Sequence, residues 1–194
     1  MPIQMSVEQI TRILDCTHNL KHWTIIATLY ATGLRCNELR HLKVTDIDSR
    51  QMLLHVREGK GCVAREIGLS PALLERLKTY YRWQRPSDWL FPSRQRPGEP
   101  LDNGTIRNLC RKAGRRAAIP LLVHPHLFRH ACATHMLDGG ADLRVIQVLL
   151  GHADIRTTAR YLHVSLERLH AASSPFDGLQ LRPIDSSHHD GRQR

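Results

Sequence analysis

Six side chains in this sequence could together cleave and rejoin a phosphate ester. Two guanidinium groups can hold the oxygens of a five-coordinate phosphorus, a phenol can attack it, and imidazole or ammonium groups can move protons. The candidates are Arg35, Lys60, His126, Arg129, His152 and Tyr161. His126 and Arg129 are three positions apart, so on a helix both point from the same face. These residue types predict a phosphoryl-transfer site.

Each of these residues, taken alone, also has an ordinary structural interpretation. Lys60 lies between two glycines, and a lysine at such a hairpin tip is commonly just solvated. His152 follows Leu-Leu-Gly, which suits a helix C-terminal cap, and Tyr161 suits a half-buried position on an amphipathic helix. The pattern favours chemistry because all six occur together in a fixed order.

Size and charge indicate one domain with a polyanionic partner. The chain has 194 residues, and Lys and Arg outnumber Asp and Glu by 28 to 18, for a net charge of +10. Nucleic acid is the commonest soluble polyanion. Five scattered cysteines without a CxxC pair favour a reducing cytoplasm, and we find neither a signal peptide nor an apolar run long enough for a membrane span.

The elements that must position the candidates are mainly helical, with one small antiparallel sheet. Ser6 and Gln9 predict the start of a first helix, a second is expected at 22–32 before Gly33, and a short third begins near Asn37. Alternating apolar residues predict three strands between 43 and 69, with Met52, Leu54 and Val56 on the middle strand and Lys60 on a hairpin tip.

The second half of the chain predicts further helices. They are expected at 71–82, at 103–118, from Pro125 to the glycine pair at 139–140, from Asp142 to Gly151, and at 157–169 around Tyr161. The helix at 103–118 carries a basic face formed by Arg107, Arg111, Lys112, Arg115 and Arg116. Residues 1–175 are predicted to form one domain, and 176–194 a polar, disordered tail.

Four separated segments resemble the tyrosine recombinase, or phage integrase, family. Residues 31–39, ATGLRCNEL, resemble its first arginine box, and residues 124–137, HPHLFRHACATHML, resemble its HxxR box. Residues 141–163, ADLRVIQVLLGHADIRTTARYLH, resemble the end of its catalytic domain, and the GKG hairpin stands where the family carries a lysine. The resemblance covers roughly residues 4–172 and is most similar to the bacterial Xer-like and integron-type branch.

The resemblance implies a role for each candidate. Tyr161 would attack a DNA phosphate and form a 3′-phosphotyrosyl bond, while Arg35 and Arg129 stabilise charge on the non-bridging oxygens. Lys60 would protonate the leaving 5′-oxygen, His126 would accept the tyrosine proton, and His152 would hydrogen-bond the phosphate. The basic helix would lie along the duplex. Neither a metal nor another cofactor is implied, and Glu38 is interpreted as a structural partner of a nearby cation.

The implied partner is double-stranded DNA, bound by a homo-oligomer that is a tetramer on paired sites. Recombination could be integration, excision or inversion, in a bacterial cytoplasm at the nucleoid. Family members usually carry an N-terminal core-binding domain that clamps the DNA, and it is expected to be absent here. An accessory DNA-bending protein or a separate clamp domain is therefore a further candidate partner.

The residues also admit other interpretations. Residues 133–150 could form a helix-turn-helix in a DNA-binding protein without catalysis, or the chain could be an inactive relic of a recombinase. His126 and His130, with Cys132 and His135 close by, raise a metal site, although the spacing does not form a ligand set. A relaxing topoisomerase would use the same tyrosine chemistry without a preferred sequence.

Overall fold

A computed structural model describes residues 4–57, 64–151 and 174–181. These residues form a mainly helical fold with one three-stranded antiparallel sheet, as the sequence predicts. In chain order the helices are α1 (Val7–Asp15), α2 (Leu20–Thr32), α3 (Cys36–Arg40), α4 (Pro71–Gln84), α5 (Asn103–Arg116), α6 (Pro125–Asp138) and α7 (Leu143–Leu150). The strands are β1 (Ile47–Asp48), β2 (Leu53–Val56) and β3 (Arg65–Gly68). The predicted hairpin tip at Lys60 and the predicted helix at 157–169 lie outside the described residues.

Helix α2 forms the centre of the fold because it is buried almost all round. Eleven of its thirteen residues are buried, and it packs against α4 and α6. Three of the buried residues are threonines, whose hydroxyls donate to the carbonyl four residues earlier and so need no distant partner. The helix ends at Gly33, whose left-handed backbone, with φ of +61°, turns the chain toward α3.

Local signals set most helix starts where the sequence places them. Ser6 and Gln9 form the predicted capping box, each side chain bonding the other's backbone N–H. Pro125 occupies the first turn of α6, and Asp142 caps α7 by accepting from the Arg144 N–H at 2.7 Å. Predicted and observed helix ends differ by no more than two residues, because terminal turns depend on cap contacts.

The first strand is much shorter than predicted. The expected strand at 43–47 is instead a 3₁₀ turn, Val44–Asp46, followed by the two-residue β1. The buried carboxylate of Asp46 accepts from the Lys43 backbone N–H at 2.8 Å and from Arg57 Nε at 2.6 Å, and such local side-chain bonds compete with strand pairing. The sheet nevertheless has the predicted order β1-β2-β3.

Met52 does not belong to the middle strand, contrary to the alternation predicted for it. Its φ is +56°, and it ends a turn in which Asp48 Oδ1 accepts from the backbone N–H groups of Arg50 and Gln51. Strand β2 begins one residue later and pairs Leu54 with Ile67 of β3.

The packed part of the chain continues beyond residue 175. Phe176, at the start of the predicted tail, is 2% exposed and meets Trp23 edge-to-face at 6.0 Å between ring centroids. The next residue, Asp177, accepts a 2.6 Å hydrogen bond from Ser70 Oγ at the start of α4. The tail prediction for residues 182–194 lies outside the described residues.

Candidate functional site

Arg129 is held by α6 in the protein interior. Its residue surface is 5% exposed, and its guanidinium donates to the carbonyl oxygens of Gly33, at 2.7 Å, and Leu150, at 2.6 Å. Burial is the larger cause, and the charge of the neighbouring Arg35 the second, of a pKa for Arg129 that is lowered to about 10. The group therefore stays charged at neutral pH and is fixed between the end of α2 and the end of α7.

Arg35 reaches the same place from the start of α3. Its Nη2 donates to the Gly151 carbonyl at 2.9 Å, and its Nη1 donates to Glu38 at 3.0 Å and to the Leu150 carbonyl at 3.5 Å. Unlike Arg129, it keeps 33% of its side chain exposed. The predicted pair of arginines is thus brought together by residues that are 94 positions apart in sequence.

Glu38 joins this site from one turn along α3. Its side chain is 1% exposed, and it accepts from Arg35 and from Arg65, with which it shares two parallel 2.9 Å hydrogen bonds. Burial raises the pKa of this carboxyl, but hydrogen bonds from Arg65 and from the Arg35 backbone outweigh it and lower the pKa to about 2. The sequence interpretation of Glu38 as a cation's structural partner is confirmed.

Arg65 belongs to this cluster but is not among the candidates that the sequence predicts. It begins β3, its side chain is 5% exposed, and its Nε donates to the Leu149 carbonyl at 2.6 Å. A signal did exist: Arg65 shares its strand face with Ile67 and with Leu69 just beyond the strand, both buried, and a charge on a buried face needs a partner. The alternation of buried and exposed residues along the strand does not identify which carboxylate is that partner.

The C-terminal carbonyls of α7 are the common acceptors of the three arginines. Leu149 is bonded by Arg65, Leu150 by Arg129 and Arg35, and Gly151 by Arg35. Cations near a helix C-terminus are stabilised by the carbonyl dipoles that the helix leaves unpaired. The end of α7 is therefore tied to the arginine cluster, and His152 follows directly in the sequence.

An open cavity of about 410 Å³ lies over the two predicted arginines. Its lining is rich in cationic and imidazole side chains. The lining residues are Leu34, Arg35, Cys36, Arg107, His124, Pro125, His126 and Arg129. No carboxylate is among these lining residues, so the cavity suits an anion such as a phosphate.

Two histidines share this cavity, one predicted and one not. The rings of His126 and His124 are nearly parallel, 9° apart, with centroids 6.4 Å apart. Burial and the adjacent His126 lower the pKa of His124, so this ring is neutral at pH 7. His124 stands two residues before His126, at the start of the segment that resembles the HxxR box. This closeness in sequence was the signal that could have identified His124 as a site residue.

The basic residues of α5 do not form one uniform face. Arg107 lines the cavity. Lys112 and Arg116 instead lie near His22 on α2, whose pKa is lowered mainly by burial, then by the charge of Lys21, and then by the charges of Arg116 and Lys112. Around the helix axis, Arg111 and Arg115 lie between Arg107 and Lys112, and both are exposed. The predicted DNA-binding helix therefore extends its charge from the cavity across the surface of α5.

The residues considered for a metal site are directed to different places. His126 lines the cavity, Cys132 is buried near Met136, and His135 Nδ1 lies 2.9 Å from the Tyr30 hydroxyl. Across the described parts of the chain, no three His, Cys, Asp or Glu side chains gather where they could hold a metal ion. Nor does any described helix have the length and apolar character needed to cross a membrane.

Three predicted site residues lie outside the described residues: Lys60, His152 and Tyr161. Their roles remain predictions. The described strands β2 and β3 flank the segment that contains Lys60, and α7 leads directly to His152.

A sequence profile described as the phage integrase family matches residues 4–168, which contain all six candidates. The chain belongs to the phage integrase family. Two of its relatives are the Sinorhizobium fredii protein y4qK, itself only provisionally named an integrase/recombinase, and the tyrosine recombinase XerA of Pyrococcus horikoshii. They are 45% identical over 91% of this chain and 36% identical over 89%, respectively.

A solved XerA recombinase shares the fold. It superimposes with a TM-score of 0.74 and 32% identity, covering 88% of this chain and 62% of that one. The chain spans less than two thirds of these integrase-family proteins, 57% of y4qK and 60% of the Pyrococcus protein.

Proposed function

We propose that this phage integrase family chain performs site-specific DNA recombination by cleaving and rejoining strands through a 3′-phosphotyrosyl intermediate. The observation that carries the proposal is the convergence of Arg35 and Arg129 on one cavity, among whose described lining residues there is no carboxylate. Family membership and relatives named tyrosine recombinases support the same chemistry.

In the proposed first step, the Tyr161 phenol oxygen attacks the scissile phosphorus. A tyrosine–phosphorus ester forms, the bond from phosphorus to the 5′-oxygen breaks, and the 5′-oxygen leaves as a hydroxyl. His126 accepts the phenol proton and Lys60 supplies the proton for the leaving oxygen. In the second step a 5′-hydroxyl from another strand attacks the ester, which joins different DNA ends and releases the tyrosine.

The arginines are suited to stabilise the transition state between these species. Negative charge grows on the non-bridging oxygens, and donors already held in place lower the barrier without reorganising. Each guanidinium has five N–H donors, and in the described contacts Arg129 uses two of them and Arg35 uses three. Both groups therefore keep N–H donors for phosphate oxygens. His152, next to Gly151, would add a hydrogen bond to the same phosphate.

The energy of the broken bond is kept in the tyrosine–DNA ester, so the proposed reaction requires neither ATP nor a metal ion. DNA would lie over α5, with Arg107, Arg111, Lys112, Arg115 and Arg116 contacting phosphates. We propose a homotetramer on paired sites, acting at the bacterial nucleoid. An accessory DNA-bending protein or separate clamp domain would assist site selection.

Covalent trapping tests the proposal. The protein is incubated with fragmented genomic DNA and denatured, and protein-linked DNA is recovered and sequenced. We expect an adduct at a recurring sequence from wild type and none from Tyr161→Phe. The matched control is Tyr81→Phe, which removes the hydroxyl of an exposed tyrosine on α4 and should leave the adduct unchanged.

The outcomes separate the alternatives. Binding of DNA without a Tyr161-dependent adduct would favour a non-catalytic DNA-binding protein or an inactive relic. Adducts without a recurring sequence, together with relaxation of supercoiled plasmid, would instead indicate a topoisomerase.

A further inference from the structure

We propose that Arg65 is a positioning residue that sets the geometry of the two phosphate-binding arginines, an inference that rests on the function proposed above. Arg65 is not among the side chains lining the cavity. It would therefore act on the reaction through Glu38 and through the end of α7, without touching the phosphate.

The contacts of Arg65 require the planar fork of a guanidinium. Nη1 and Nη2 each donate to one oxygen of Glu38 at 2.9 Å, while Nε donates to the Leu149 carbonyl at 2.6 Å. A lysine ammonium is a point charge and cannot reproduce two parallel bonds together with a third acceptor. Arg65 thereby fixes the plane of the Glu38 carboxylate relative to α7.

That carboxylate also determines where Arg35 lies. Glu38 Oε1 accepts from both Arg65 and Arg35 Nη1, and Oε2 accepts from Arg65 and from the Arg35 backbone N–H, at 2.8 Å. Without Arg65, the carboxylate would be free to turn fully toward Arg35. The guanidinium of Arg35, which donates to this carboxylate, would then follow it and shift within the cavity.

Arg65 also supports the segment to which both arginines bind. An added Cβ on Gly151 would stand 3.1 Å from Arg65 Nη1 and 3.2 Å from Cζ, so the guanidinium lies directly against the backbone of Gly151. The φ of Gly151 is +60°, a conformation that favours glycine. Arg65 is thus packed against the turn that presents the Leu150 and Gly151 carbonyls to Arg129 and Arg35.

The experiment measures single-turnover adduct formation on the DNA sequence recovered by covalent trapping, with the protein in excess. The variants are Arg65→Lys and Arg65→Met. The matched control is Arg57→Met, because Arg57 also pairs with a buried carboxylate, that of Asp46, but is 57% exposed and is not among the described residues that line the cavity. DNA affinity and the thermal unfolding midpoint are measured for each protein.

We expect both Arg65 variants to form the adduct about 100-fold more slowly, since small displacements of positioned groups cost this much. Their DNA affinity and the rate of the Arg57→Met control should stay near wild type. Because Arg65 acts through Glu38, Arg65→Lys combined with Glu38→Gln should cost less than the product of the two single effects. If Arg65→Met fails to fold, Arg65→Lys, which keeps a charge near Glu38, decides the matter.

A second substrate separates this role from an effect on Lys60, which precedes Arg65 by five residues. In a 5′-bridging phosphorothiolate the leaving group is a thiolate, which needs no proton donor. The Arg65→Lys defect should persist on this DNA, because charge on the non-bridging oxygens still has to be stabilised.

Two results would overturn the inference while leaving the proposed function intact: a wild-type rate for Arg65→Lys, or full recovery of its rate on the phosphorothiolate. Failure of the wild-type protein to form a Tyr161-dependent adduct in the covalent trapping would instead overturn the proposed function, and this inference with it.

Discussion

Arg35 and Arg129 donate to the same acceptor, the carbonyl oxygen of Leu150, at 3.5 Å and 2.6 Å. Two cations that would repel each other are thereby held side by side at the end of a helix, where unpaired carbonyls favour positive charge. A phosphate entering the cavity would meet both guanidiniums already in place, which is the arrangement that electrostatic catalysis requires.

Replacing the buried arginine should affect the reaction more than DNA binding. We expect Arg129→Lys to slow adduct formation by roughly 10²–10³-fold, because a lysine keeps the charge but loses the planar fork. Arg111→Ala, on the exposed side of α5, should instead weaken binding and lower the salt dependence of affinity by about 0.9 in slope. Single-turnover rates and binding titrations at several salt concentrations measure both. A normal rate for Arg129→Lys would contradict the phosphate-binding role.

The buried Glu38 carboxylate should make stability depend on acid pH. Its pKa falls from an ordinary 4.5 to about 2 in the fold, so its contribution is complete above pH 4.5 and is lost as pH falls toward 2. Glu38→Gln should be less stable than wild type at pH 7 by roughly 3 kcal/mol, because Arg65 loses its charged partner.

The measurement for Glu38 is urea unfolding at pH 7, 5 and 3. The difference between wild type and Glu38→Gln should narrow as pH falls below 4.5. Glu66→Gln is the control, since Glu66 is exposed in its pair with His55 and should change stability little at any pH. A difference that stays constant from pH 7 to pH 3 would show that the Glu38 charge is not the source.

Gly33 should tolerate alanine poorly because of what lies next to it. A Cβ there would stand 2.6 Å from Leu150 Cδ2, whereas one on Gly98 would meet nothing within 4 Å. Both glycines have positive φ, +61° and +83°, so the backbone cost is similar and the comparison isolates the clash. Gly33→Ala should lose about 1–3 kcal/mol more than Gly98→Ala in thermal unfolding. It should also lower the adduct yield, because the Gly33 carbonyl holds Arg129. Equal losses for the two variants would mean that the end of α7 adapts freely.

The hydrogen bond between Tyr30 and His135 should contribute to stability but not to chemistry. It joins α2 to α6 at 2.9 Å, and burial lowers the pKa of His135, so the ring is neutral at pH 7. Tyr30→Phe should cost about 1 kcal/mol in urea unfolding, while Tyr81→Phe, at an exposed position, should cost almost nothing. Adduct formation should be unchanged in both variants. A slowed reaction in Tyr30→Phe would reveal a connection from this pair to the site.

Local sequence signals predicted the helical framework because their physics is local. The Ser6 and Gln9 capping box, the proline opening α6 and the Asp142 cap each act within one helical turn, and the structure places all three as predicted. The strand prediction at 43–47 was wrong because a buried carboxylate, Asp46, drew its partners into a turn.

The sequence by itself also identified Arg35 and Arg129 as site candidates, through residue type, order and family resemblance. It could not show that the end of α7 is their shared anchor, or that Arg65 and Glu38 complete the cluster. The contacts that tie Arg65, Arg129 and Arg35 to Glu38 or to the end of α7 across the fold join residues 21 to 116 positions apart. Only packing decides which buried cation meets which acceptor, because periodicity tells which face of a helix or strand is buried but not what lies against it.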